Sequence, residues 1–226
     1  MERPGLRAAC NIQGIVHLNL GNTGETDRQL THIATLLDLN GLVLVDNVDL
    51  TAVGIRWLSS LPQLRQIGFF NADESVVIAA TELPHLTSLE VGVVEFTDKV
   101  VDSLATSRIT KLSLNGNVPV SKWQPLNREF CQRLSRLKQL DSLRLVFFRD
   151  HEAKPAIEPG AIATLATLPQ LKELVVEGVP LTDDDLLILT EFKALRQLTL
   201  ANTKVTAAGL AKFKAARPNV TVEFRM

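Results

Sequence analysis

Aliphatic residues recur along this chain at unequal intervals that themselves repeat. Leu195, Leu198 and Leu200 are followed by Thr206, Leu210 and Phe213, so the steps after Leu200 are six, four and three. The same steps connect Leu171, Leu174, Val176, Thr182, Leu186 and Leu189. They recur in Ile15, Leu18, Leu20, Thr26, Leu30, Ile33 and in Leu86, Leu89, Val91, Thr97, Val101, Leu104. Leu39, Leu42, Leu44, Thr51, Ile55 and Leu58 follow with one extra residue before the threonine. Self-similarity of this length is the mark of a solenoid, in which each unit buries its apolar side against its neighbours.

Each part of the pattern predicts a local structure. Alternation in x-Leu-x-Leu sends the leucines to one side of a strand and the intervening residues to the other. The threonine predicts a helix N-cap, because its side-chain oxygen can accept from N–H groups that the first turn leaves unpaired. Apolar residues four and seven positions after the cap then form one inward helical stripe. By this reading Thr206 caps a helix and Gly209 is a small residue in its first turn, so "NTKVTAAGL" turns the chain rather than cradling a phosphate.

Three units vary the pattern. Leu64, Ile67 and Phe69 lead to Asp73 with a shorter loop, whereas Asn127 and Glu158 stand 13 residues after Leu114 and Leu145. The predicted organisation is a single solenoid domain: a half-unit or cap over 1–14, eight units over 15–218, and a final strand over 219–226. Leu6, Ala9 and Ile12 fit the helical half of a preceding unit.

The pattern L-x-x-L-x-L, with helix starts such as "LTDDDLLIL" and "VTAAGLAKF", resembles the leucine-rich repeat family. The similarity is greatest to the bacterial variety of about 24 residues and to the ribonuclease-inhibitor-like group, and covers residues 15–226. The resemblance implies an α/β fold, with a curved parallel β-sheet on the concave face and helices on the convex face. Many members carry an asparagine three residues after the second strand leucine. Here that position holds Asn47 and Asn117 but Thr23, Ala72, Val94, Phe148, Val179 and Thr203 elsewhere, so a continuous asparagine ladder is not expected.

Nine strands at about 4.8 Å give a sheet roughly 38 Å wide, enough for a partner footprint of about 800 Å². The residues flanking the strand leucines carry whatever specificity exists. Val43, Val45 and Phe70 form a candidate apolar patch, or simply favour strand formation. Glu90, Lys111, Arg144 and Glu173 alternate in blocks of like sign along successive strands, with Val146, Val175 and Glu177 beside them. The long loops 115–126 and 146–157 fall at the same place in adjacent units, which brings Trp123, Phe147, Phe148 and His151 together. Such a ridge is either a partner site or a small core in which the loops pack on each other.

Composition narrows the partner. A net charge of −1, from 24 basic and 25 acidic residues, gives no field that would draw nucleic acid or an anionic membrane. Aromatic content is 5%, without tyrosine, which disfavours base stacking. Cys10 and Cys131 are too few for a disulfide framework or a zinc site, and no apolar run has membrane-spanning length. No metal, cofactor or catalytic motif is found; "TDDDLL" reads as a dipole-complementing helix start and Cys131 as an inward core position. The resulting expectation is a cytoplasmic, non-enzymatic module that binds a protein or peptide through its concave sheet and loop ridge. The alternative is a structural or sensor segment of a larger repeat protein. The oligomeric state stays open, and the last strand, "NVTVEFRM", would offer an edge for pairing with another chain.

Overall fold

A computed structural model describes residues 14–21, 26–45, 49–70, 72–92, 96–116, 127–147 and 158–225. Among these residues, nine strands of five residues each form one parallel sheet in strict chain order. They are β1 (His17–Gly21), β2 (Gly41–Val45), β3 (Gln66–Phe70), β4 (Ser88–Gly92) and β5 (Lys111–Asn115), then β6 (Ser142–Val146), β7 (Glu173–Glu177), β8 (Gln197–Ala201) and β9 (Thr221–Arg225). Every second residue faces the helices, and Leu42, Leu89, Leu143, Leu174 and Leu198 are each almost wholly buried there. Sequential parallel pairing requires a crossover after every strand, and the helices supply it.

Those helices are α1 (Asp27–Ile33), α2 (Ala52–Trp57), α3 (Glu74–Thr81), α4 (Asp98–Thr106), α5 (Arg128–Leu134), α6 (Asp183–Ile188) and α7 (Ala207–Ala216). Ala161–Thr167 is a 3₁₀ helix. The inward stripe arises as the spacing predicts: Leu30 and Ile33, Val101 and Leu104, and Leu186 and Leu189 are all buried. Phe69, Phe192 and Phe213 are fully buried as well, and the rings of Phe96 and Phe130 meet edge to face at 5.6 Å.

The caps explain where the helices begin. Thr51, Thr97, Asn127, Thr182 and Thr206 each occupy the N-cap in extended conformation and accept a first-turn N–H on the side-chain oxygen. For Asn127 the donor is Phe130 N at 2.8 Å. Glu158 departs from the expected cap. The 3₁₀ helix starts instead from Gly160, whose φ of 72° is left-handed, and Glu158 turns its carboxylate back to accept from Arg128 N at 2.9 Å. A glutamate is a poor N-cap because its carboxylate lies one carbon too far from its own backbone.

A second system ties one unit to the next. Asp183, the first helical residue of α6, accepts from Thr206 N at 2.8 Å and from Thr206 Oγ1 at 2.6 Å. Thr206 Oγ1 accepts in turn from Gly209 N at 3.2 Å. A Cβ on Gly209 would stand 2.1 Å from Asp183 Oδ1, so only glycine admits the carboxylate. Asp27, Thr51 and Gly54 repeat the arrangement at the other end of the sheet: Thr51 N donates to Asp27 Oδ1 at 2.8 Å, and a Cβ on Gly54 would stand 2.1 Å from the same oxygen. Where the acid is one methylene longer, Glu74 reaches Thr97 Oγ1 at 2.9 Å, and the third helical residue there is Val100. Gly209 is therefore more than a small first-turn residue: it makes room for the preceding unit's aspartate.

Candidate functional site

The first, third and fifth residues of each strand build the inner face. Register sets three rows across the sheet, and the central one runs Val43, Gly68, Glu90, Ser113, Arg144, Val175 from β2 to β7. In β2 and β3, Val43, Val45 and Phe70 are half-buried, so part of each side chain meets solvent. Small residues beside them let larger neighbours lie flat. A Cβ on Gly92 would come within 2.8 Å of the Phe70 ring, and one on Gly41 within 2.6 Å of His17 Nδ1.

In β4 to β7 the face is charged. Glu90 is half-buried and accepts a short hydrogen bond from Asn115 Nδ2. Glu173 accepts from Ser142 Oγ at 2.9 Å. Lys111 and Arg144 are exposed and form no ion pair among the described residues. Glu177 is half-buried and adds to the electrostatic environment of Arg225, whose guanidinium is held above its usual range chiefly by its hydrogen bond to Glu223.

Three expected surface residues are closed to solvent. Val146 and Val175 do belong to the inner face, yet only 4% of each is exposed. Val175 is short, with Arg144 and Thr199 beside it across the sheet and Glu173 and Glu177 along its own strand. Val146 lies between Asn115 and Glu177 in its row. Phe147 is 5% exposed and belongs to the core, not to a solvent-facing ridge. Alternation past β6 turns its side chain toward the helices, while its N–H donates to Glu177 O at 2.8 Å. Its carbonyl would stand 1.7 Å from a Cβ on Gly178, which has φ of 71° and so admits only glycine without strain. Trp123, Phe148 and His151 lie outside the described residues.

The acidic run of α6 is used structurally. Asp183 binds Thr206, while Asp185 closes a capping box with Thr182 and accepts from Gly160 N at 3.2 Å. The hydrogen bonds from Thr206 hold the Asp183 carboxyl below its usual range. Burial pushes the Cys131 thiol up to about 12, far from the thiolate that nucleophilic chemistry needs. Among the described residues, no three His, Cys, Asp or Glu gather where a metal ion could be held. On the outer face, Asp98, Asp102, Glu129, Arg133 and Arg136 join α4 to α5 in an exposed ionic network.

A single parallel sheet in chain order, with helices on its other side and side-chain caps at five of their starts, is a leucine-rich repeat solenoid. A solved structure shares this fold. An internalin from Listeria monocytogenes strain 4b F2365 matches 100% of this chain at 16% identity and a TM-score of 0.50. Internalin C2 from the same strain matches 96% of it at 18% identity and a TM-score of 0.48. Internalins are leucine-rich repeat proteins. This chain covers 64% of the first internalin's length and 83% of the second's. No family profile and no curated protein matches its sequence. Among the described residues, no helix is long and apolar enough to cross a membrane.

Proposed function

We propose that this protein is a non-enzymatic protein-interaction module whose inner sheet face docks the partner. The observation that carries the reading is the contrast between the two sides of one sheet. Core-facing strand positions repeat leucine or its equivalents, whereas the inner-face residue changes at every step along the central row from Val43 to Val175. A scaffold held constant beneath a varied surface is how solenoids present extended binding faces. Val43, Val45 and Phe70 supply apolar contact, and Glu90, Lys111, Arg144, Glu173 and Glu177 supply polar contact around it. Val146 and Val175 support that surface from below.

Site-specific photo-crosslinking in native lysate tests this. A photoreactive residue at Val43 or Arg144 is expected to give a discrete protein adduct, and one at Leu187 on the outer helices to give none. Adducts from Leu187 alone would move the docking surface to the helical side and defeat the proposal.

A further inference from the structure

The free charges of the inner face identify the chemistry of an occupant. We infer that it takes an extended peptide with one Asp or Glu seated between Lys111 and Arg144 and an apolar residue about five positions away on Val43, Val45 and Phe70. This inference rests on the reading of the inner face as the docking surface.

Lys111 and Arg144 stand on paired strands, with Lys111 opposite Ser142 and Ser113 opposite Arg144. One strand spacing and two residues of rise put their backbones roughly 8 Å apart on the same face. That separation lets an ammonium and a guanidinium converge on a single carboxylate. Neither neighbouring acid forms an ion pair with them: Glu90 accepts from Asn115, and Glu173 accepts from Ser142 at 2.9 Å. A Cβ on Gly68 would lie 3.7 Å from Glu90 Oε2, so that oxygen also sits over β3, away from Lys111. Among the described residues nothing occupies the donors of either cation.

The same carboxylates decide against a polyanion. Glu90, Glu173 and Glu177 flank the two cations and would repel a run of phosphates, while a lone acid fits between them. The apolar patch fixes the second feature. From Phe70 to Lys111 is two strand spacings and four residues of rise, and from Phe70 to Arg144 three spacings and two residues, about 16 Å in each case, which an extended peptide crosses in about five residues.

Selection of short random peptides against the full chain, in parallel with the Lys111→Glu/Arg144→Glu double variant, tests the inference. Both substitutions are at exposed positions, and an unchanged melting temperature establishes that the variant is folded. The wild type is expected to enrich peptides with an acid about five positions from an aliphatic or aromatic residue. Measured individually by fluorescence anisotropy, these peptides should lose about tenfold or more in affinity for the double variant, which should itself select Lys or Arg at the acid's place. Peptides that bind without an acid, or bind the double variant equally well, but are lost on Phe70→Ser, would overturn the acidic-peptide inference and leave the docking face intact. No enrichment, or binding indifferent to all three substitutions, would overturn both.

Discussion

The helix starts and the inner sheet face belong to the same repeats, yet they differ in how they use the sequence. At the helix starts, units at opposite ends of the sheet share one tie between aspartate, threonine and glycine, Asp27–Thr51–Gly54 and Asp183–Thr206–Gly209. On the inner face, neighbouring strands nowhere place the same residue type side by side. The first system holds each unit to the next and tolerates little change, because its parts fit only together. The second leaves exposed and half-exposed side chains whose identity the scaffold does not dictate. Under the proposed function, stability and recognition fall to different rows of one repeat.

The largest expected effect lies where an inner-face residue gives way to the core. Phe147→Ser should destabilise the fold by about 3 kcal/mol, through lost apolar burial and an added buried hydroxyl, as read from chemical denaturation. Arg144→Glu, three residues earlier, should change stability by less than about 0.5 kcal/mol. Equal losses would erase the distinction between the two.

A smaller effect tests the inter-unit tie. Replacing a helical glycine by alanine ordinarily gains up to about 1 kcal/mol. Gly209→Ala should instead lower the melting temperature, because its Cβ displaces the Asp183 carboxylate from Thr206. The loss should shrink in an Asp183→Ala background, and additive effects would show that the two residues do not interact.

The tie also predicts a dependence on acid. The Asp183 carboxyl is held low in the fold by its hydrogen bonds from Thr206. Its contribution is therefore complete above the ordinary aspartate range and declines as pH falls through the depressed folded value. Melting temperatures of wild type and Asp183→Asn should converge on acidification; curves that stay parallel would remove the carboxylate's role.

The smallest effect concerns reactivity. In a Cys10→Ala background, Cys131 should resist alkylation at pH 8 while the protein is folded and react at once in denaturant, since burial raises its thiol to about 12. Rapid labelling of the native protein would place it on an accessible surface.

Much of this was legible in the spacing of residues. Strands, inward helical stripes and threonine caps repeat at fixed intervals, so one unit predicts the next. The Asp–Thr–Gly tie also left a sequence signal: Gly54 and Gly209 each stand three residues after a cap, and each follows a unit whose helix opens with aspartate. The rest depended on contacts that spacing does not encode. Glu158 occupies a cap position by count, but its length sends it back to Arg128 N. Val146 and Val175 alternate onto the open face and are nevertheless covered, because their neighbours are longer. Lys111 and Arg144 look like half of a cross-strand charge pattern until Asn115 and Ser142 are seen to hold the acids.

The central claim is that recognition and stability are separable, and paired assays on three proteins test it most directly. Wild type, Lys111→Glu/Arg144→Glu and Asp183→Ala would each be melted and used to capture protein from native lysate at a temperature well below the transition. The account predicts that the charge-reversed variant melts with the wild type but loses a captured protein, whereas Asp183→Ala melts lower and retains it. A captured protein held in full by the charge-reversed variant, or lost in step with melting temperature, would contradict it.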